Sequence, residues 1–173
     1  MSALHKTMPA ENTAIEIVAY QPQYHADVVT LVTSIQQQEL RVNVTYDEQF
    51  DLKDITGVYM RNNGNFWLAM AGDTLVGTIG LIDIGNNTGA LKKMFVHAEY
   101  RRSTIGKKLL DTLLQWARNH GMRHLYLGTA ETLTAAHRFY EKNSFQAVEG
   151  GKVPQKVEAT LVKADTRRYY RNI

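Results

Sequence analysis

The strongest periodic signal in the chain lies in residues 105–118. Ile105, Leu109, Leu110, Leu113, Leu114 and Ala117 recur there at three- and four-residue intervals, while Lys107, Lys108, Asp111, Gln115 and Arg118 fall largely off that face. That spacing predicts an amphipathic helix, stopped near Gly121. Upstream the period is two. Residues 66–71, 74–84 and 88–97 read as three strands joined by Gly72-Asp73 and Gly85-Asn86-Asn87, hence an antiparallel meander. Residues 124–130 form a short apolar strand, which should run parallel to 88–97 because a helical crossover joins the two.

The flanks are less sharply patterned. Residues 15–20 alternate as a first strand, and residues 24–40, with Val28, Leu31, Val32 and Ile35, predict a helix starting after Pro22. Residues 47–60, with Phe50, Ile55, Val58 and Tyr59, predict a weaker helix, and residues 132–143 another, with Ala135, Ala136, Phe139 and Tyr140 on one side. Residues 145–148 and 166–171 can close the sheet as two last strands; residues 149–165, with Gly150, Gly151 and Pro154, carry no assignment. Residues 1–14 are polar and aperiodic and read as a flexible leader, so a single domain is expected over residues 15–173. The fold class is α/β (α+β): a mixed, mostly antiparallel sheet of about seven strands with about four helices.

Composition narrows the chemistry. The chain has no Cys, which excludes thiolate nucleophiles and Cys-ligated metal sites and leaves a cytoplasmic location unopposed. No stretch approaches the roughly 20 apolar residues of a membrane span, so no membrane partner is expected. The net charge of +3 is modest, but it is unevenly placed. Lys92, Lys93, Arg101, Arg102, Lys107 and Lys108 cluster at the junction of a strand and the best helix, whereas Glu39, Asp47, Glu48, Asp51 and Asp54 form an acidic neighbourhood. Such a local basic cluster suits a compact polyanion better than nucleic acid, which needs a broad basic face interleaved with aromatics. A helix N-terminus adds unpaired amides and a favourable dipole, so the turn is read as a pyrophosphate site. No G-x-G-x-x-G or G-K-[ST] follows a strand, and no metal-ligand set stands out.

Arg101-Arg102-Ser103-Thr104-Ile105-Gly106 and Phe139-Tyr140-Glu141-Lys142-Asn143-Ser144-Phe145, in this order of elements, resemble the GNAT family of acyl-CoA-dependent N-acetyltransferases. Its cofactor-binding pattern is R/Q-x-x-G-x-G/A, and its fourth helix often ends in Y-E-K-x-G-F. The resemblance implies a sheet splayed between its fourth and fifth strands, with acetyl-CoA in the gap. By position, Arg101, Arg102, Ser103, Thr104, Ile105, Gly106 and Lys107 would hold the pyrophosphate. Met94, Phe95 and Val96 would offer backbone groups to the pantetheine arm, and the Val96 amide would bind the thioester oxygen as it gains charge. Tyr140 would protonate or hydrogen-bond the leaving thiolate, with the small Ala136 letting the cofactor approach. Glu131 is the first candidate for general base, ahead of Asp83 and His97, and His137 and Lys142 would line the adenosine end or face solvent.

Three positions depart from the pattern. Thr104 replaces the first motif glycine: a positive φ there would impair cofactor binding, while a negative φ would free the Thr104 or Ser103 hydroxyl to cap the helix or bond a phosphate, the reading adopted. Ser144 replaces a helix-ending glycine, a change that Asn143 is expected to absorb by taking the left-handed conformation. Leu133 replaces an Asn that often contacts the cofactor arm. The implied function is acetyl transfer from acetyl-CoA to a primary amine of a small-molecule or peptide acceptor by direct attack in a ternary complex; the alternative is a non-catalytic CoA-binding or sensing module. The acidic run 39–54 suits a cationic acceptor, and the last strand, residues 166–171, is a candidate homodimer contact.

Overall fold

A computed structural model of the protein describes residues 13–173; most of the expected leader lies outside the described residues. Seven strands form one sheet in the order β1-β2-β3-β4-β5-β7-β6: β1 (Ile15–Ala19), β2 (Asn65–Ala71), β3 (Thr74–Gly85), β4 (Thr88–Val96), β5 (His124–Thr129), β6 (Gln146–Val148) and β7 (Arg167–Asn172). Every pair is antiparallel except β4–β5. The mixed, mostly antiparallel sheet therefore stands as expected, including the parallel pair required by the helical crossover. β7 pairs with β5 on one side and β6 on the other, so the last strand offers no open edge along its paired length.

Alternation in β2 explains the layering. Trp67, Ala69 and Ala71 pack into a core with Ile105, Leu109, Leu110 and Leu113 of α4 (Ile105–Asn119). Phe66, Leu68 and Met70 point to the other face, against Val28 and Val32 of α1 (His25–Ser34) and Ile55 and Tyr59 of α3 (Ile55–Tyr59). A strand buried on both sides must be apolar throughout, and all seven residues of β2 are buried.

The less regular helices differ from expectation in instructive ways. The first helix widens after Ser34 into a π turn over Ile35–Glu39, where the Leu40 amide reaches back to the Ile35 carbonyl at 2.8 Å. The helix expected over residues 47–60 is two short ones, α2 (Phe50–Lys53) and α3, broken at Asp54 (φ −139°), whose carboxylate instead accepts from the Gly57 amide at 2.7 Å. The stretch left without assignment contains a short helix, α6 (Gln155–Glu158), pinned by the buried Val157.

The end of α5 (Thr134–Lys142) corrects one expectation. Asn143 keeps φ −100°, and the left-handed residue is Ser144 at φ +67°. The Phe145 amide bonds the Tyr140 carbonyl at 3.0 Å, which makes Ser144 the residue after the cap, where a left-handed turn is required. Ser144 thus carries the strain that a glycine would avoid. Ser144→Gly should stabilise the fold by about 1 kcal/mol, read as a higher urea midpoint at unchanged slope.

Candidate functional site

β4 and β5 pair only from Thr88↔His124 to Ala90↔Tyr126, and then part. Between the diverging ends lies a cavity of about 930 Å³, walled by β4 from Leu91 onward, by Gly128 and Thr129 of β5 and the Ala130 that follows, by α5, and by the turn before α4. Its lining also includes Ile35, Leu40, Val42 and Val44 and, from the loop before β7, Val162, Ala164 and Asp165.

A bulge shapes the β4 wall. Thr78 faces Phe95 and Gly80 faces Lys92, so Lys93 and Met94 both stand opposite Ile79. Lys93 takes φ +51°, and the buried Thr78 hydroxyl donates to its carbonyl at 2.7 Å. Beyond the bulge the His97 amide bonds Val76 on the β3 side at 2.8 Å. Because backbone groups alternate along a strand, the Val96 amide faces the opposite, open side. The Val96 carbonyl, on that same side, accepts from Arg101 Nε at 2.8 Å.

In the turn, Thr104 has φ −82°, so no left-handed glycine is needed there; Arg102 supplies the positive φ (+63°). Ser103 Oγ accepts from the Ile105 amide at 3.3 Å and donates to the Tyr100 carbonyl, while Thr104 makes no side-chain cap bond. The amides of Arg102, Ser103, Thr104, Gly106 and Lys107 have no protein acceptor among the described residues. They form a run of open donors at the start of a 15-residue helix.

The cavity gathers Met94, Phe95, Val96, Arg101, Arg102, Ser103, Thr104, Gly106, Lys107, Ala136 and Tyr140, all singled out from sequence. It does not gather the rest. Ile105 is 2% exposed and packs in the core under α4. Glu131 turns outward to Arg167 at 3.1 Å, Asp83 accepts from the Asn63 and Gly85 amides at the paired end of the meander, and His97 accepts from the Glu99 amide. His137 neither lines the cavity nor faces solvent. It is buried and donates from Nε2 to the Ala130 carbonyl at 2.9 Å, fastening α5 to the end of β5; Lys142 does line the cavity.

The charge clusters also dissolve on folding. Lys92 and Lys93 are buried and belong to ion pairs rather than to the turn: Lys93 Nζ lies 3.0 Å from Asp51 Oδ2, and Lys92 Nζ lies 3.6 Å from Asp165 Oδ2. Arg101 is engaged by Glu39 at the end of the π turn. Asp47 meets Lys53, Glu48 accepts from Thr45, and Asp54 caps α3, so each member of the acidic run has an internal partner. Sequence reasoning had two signals for this in Lys92 and Lys93: charges inside an otherwise apolar strand need partners.

Residues 29–145 match the acetyltransferase (GNAT) family. The chain belongs to this family. A GNAT acetyltransferase from Staphylococcus aureus is 39% identical and superposes with a TM-score of 0.89, covering 92% of this chain and 99% of that one. The probable N-acetyltransferase family 8 member 5 of Mus musculus is 33% identical over 103 residues, 57% of this chain but 45% of the relative, so the chain spans about half of that protein's length. The PaiA N-acetyltransferase of Thermoplasma acidophilum, solved in complex with coenzyme A, shares the fold at 18% identity and a TM-score of 0.74, over 92% of this chain and 99% of that one.

Within this GNAT chain the Lys93–Asp51 pair joins the bulge to α2, and the Tyr59 hydroxyl donates to Asp51 at 2.6 Å. Burial pushes the Asp51 carboxyl up, but Lys93 and the Tyr59 hydroxyl outweigh it and leave the group below its ordinary value. A depressed folded pKa stabilises the fold above the unfolded carboxyl value, about 4, and the contribution is lost as pH falls through the lower folded value. Asp51→Asn should therefore destabilise by about 3–5 kcal/mol at neutral pH, because it leaves the Lys93 ammonium buried and unpaired. In urea titrations the gap to wild type should narrow progressively below pH 4, where wild type protonates the same carboxyl.

Proposed function

We propose that residues 15–173 form one N-acetyltransferase domain that moves an acetyl group from acetyl-CoA to a primary amine by direct attack in a ternary complex. The observation carrying this reading is that the open amides of the 102–107 turn and the outward Val96 amide line a single cavity between parted strands. The turn would take the pyrophosphate on backbone donors, with Arg102 and Lys107 adding charge; Arg101, held by Glu39 and the Val96 carbonyl, would brace the end of β4. The Val96 amide would meet the thioester oxygen, where charge develops in the transition state. The PaiA relative, a complex with coenzyme A, supports the donor class through its shared fold.

Tyr140 fits the role of proton donor to the leaving sulfur. Burial first, and the Asp165 charge second, push its phenol well above the ordinary value of about 10, so it stays protonated at neutral pH. Phe145 and Tyr169 hold the ring at centroid distances of 5.6 and 6.0 Å, and Leu133 and Ala136 give the cavity an apolar flank beside it. No helix of the described residues is long and apolar enough to cross a membrane, and no group of three or more His, Asp or Glu among them could hold a metal ion.

A CoA-release assay with acetyl-CoA against amines, amino acids, polyamines, aminoglycosides and peptides tests the reading. Release that depends on one amine class supports it, whereas tight CoA binding in calorimetry with no release for any amine leaves a CoA-binding module. Tyr140→Phe should lower turnover by about 10²-fold, more than it raises the acetyl-CoA Michaelis constant. Unchanged turnover would remove the assignment.

A further inference from the structure

We infer that Asp165, on the loop before β7, is the group that receives the acceptor's ammonium and takes its proton; this rests on the acetyltransferase reading above. An amine must shed a proton before it can attack a thioester, and among the described residues the cavity wall supplies a single carboxylate for that purpose, Asp165. Glu131, Asp83 and His97 are engaged elsewhere.

The side chain of Asp165 is built into position. Its Oδ2 accepts from the Val162 amide at 2.9 Å and lies 3.6 Å from Lys92 Nζ, which itself donates to the Thr160 carbonyl at 2.6 Å. Both contacts fall on Oδ2 and leave Oδ1 without a protein partner among the described residues. The loop can come this close to β5 because residue 128 is glycine: a Cβ there would stand 2.8 Å from Asp165 Cβ and 2.7 Å from Leu161 Cδ2. The carboxylate thus stands over β5 in the wall of the same cavity as Tyr140, whose phenol its charge helps to push up. Burial lowers the Lys92 pKa and the Asp165 charge raises it again, the mutual dependence of an ion pair held away from water. Lys93 is already neutralised by Asp51, and both contacts on Asp165 fall on Oδ2, so an entering ammonium meets Oδ1, which has no protein partner among the described residues.

The acceptor enters as R–NH3+, and Asp165 takes one proton. The freed lone pair attacks the carbonyl carbon and forms the C–N bond. Collapse breaks the C–S bond, the second nitrogen proton passes to sulfur by way of the Tyr140 hydroxyl, and Asp165 returns its proton to solvent. The products are the amide, the thiol and one proton.

The test compares two nucleophiles: the fastest amine of the panel above, which is protonated at neutral pH, and hydroxylamine, which is not. Asp165→Asn should lower kcat/KM for the amine by about 10²-fold, with enzyme-dependent transfer to hydroxylamine and acetyl-CoA binding by calorimetry nearly unchanged, and Asp165→Glu should recover part of the loss. Equal losses on both nucleophiles, lost acetyl-CoA binding, or an unchanged amine rate would overturn the assignment while the acetyltransferase reading stands. If wild-type protein binds acetyl-CoA and transfers to neither nucleophile, that reading fails and takes this inference with it.

Discussion

The parting of β4 and β5 is the constraint on which the rest of the molecule depends. Two parallel strands that pair for three residues and then separate leave backbone donors and acceptors with no neighbour on one side. A sheet interior does not tolerate such groups unless water or a ligand meets them. The helical crossover keeps the strands adjacent at one end, and the bulge at Lys93 turns β4 away at the other. The cleft is therefore a consequence of strand geometry.

Charge holds the two walls of the cleft in place. Lys93 reaches from the bulge to Asp51 of α2, and Lys92 reaches from the same strand to the loop of Thr160 and Asp165. These pairs are costly to bury and contribute less net stability than apolar packing would, but they are directional. A mispaired lysine in this strand would leave an unmatched charge in the core, so the pairs fix where the two flanking segments settle. Arg101 does the same at the mouth, linking the π turn through Glu39 to the end of β4 through the Val96 carbonyl.

How much of this was legible in the chain varied with how local the cause was. The amphipathic α4, the alternating meander and the parallel crossover follow from side-chain periodicity over a few residues, and they appear where the pattern placed them. The family motif located the turn and α5, and the negative φ of Thr104 agrees with the steric reluctance of a β-branched residue toward left-handed backbone. The end of α5 went the other way: Ser144, not Asn143, takes the positive φ, because hydrogen-bond closure to Tyr140 sets the position of the turn more firmly than residue preference does.

The sequence by itself determined the order and type of the main elements and the basic turn ahead of the best helix. These depend on spacing along the chain. Only the tertiary structure decided which charges are available and which are spent. Lys92 and Lys93 lie near Arg101 in sequence yet pair with Asp165 and Asp51, which lie 73 positions later and 42 positions earlier by residue number. It likewise turned Glu131 out toward Arg167 and brought Asp165, from a stretch with no readable pattern, into the cleft wall. Electrostatic partners are chosen by distance in space after the chain has folded, and no local periodicity records that choice.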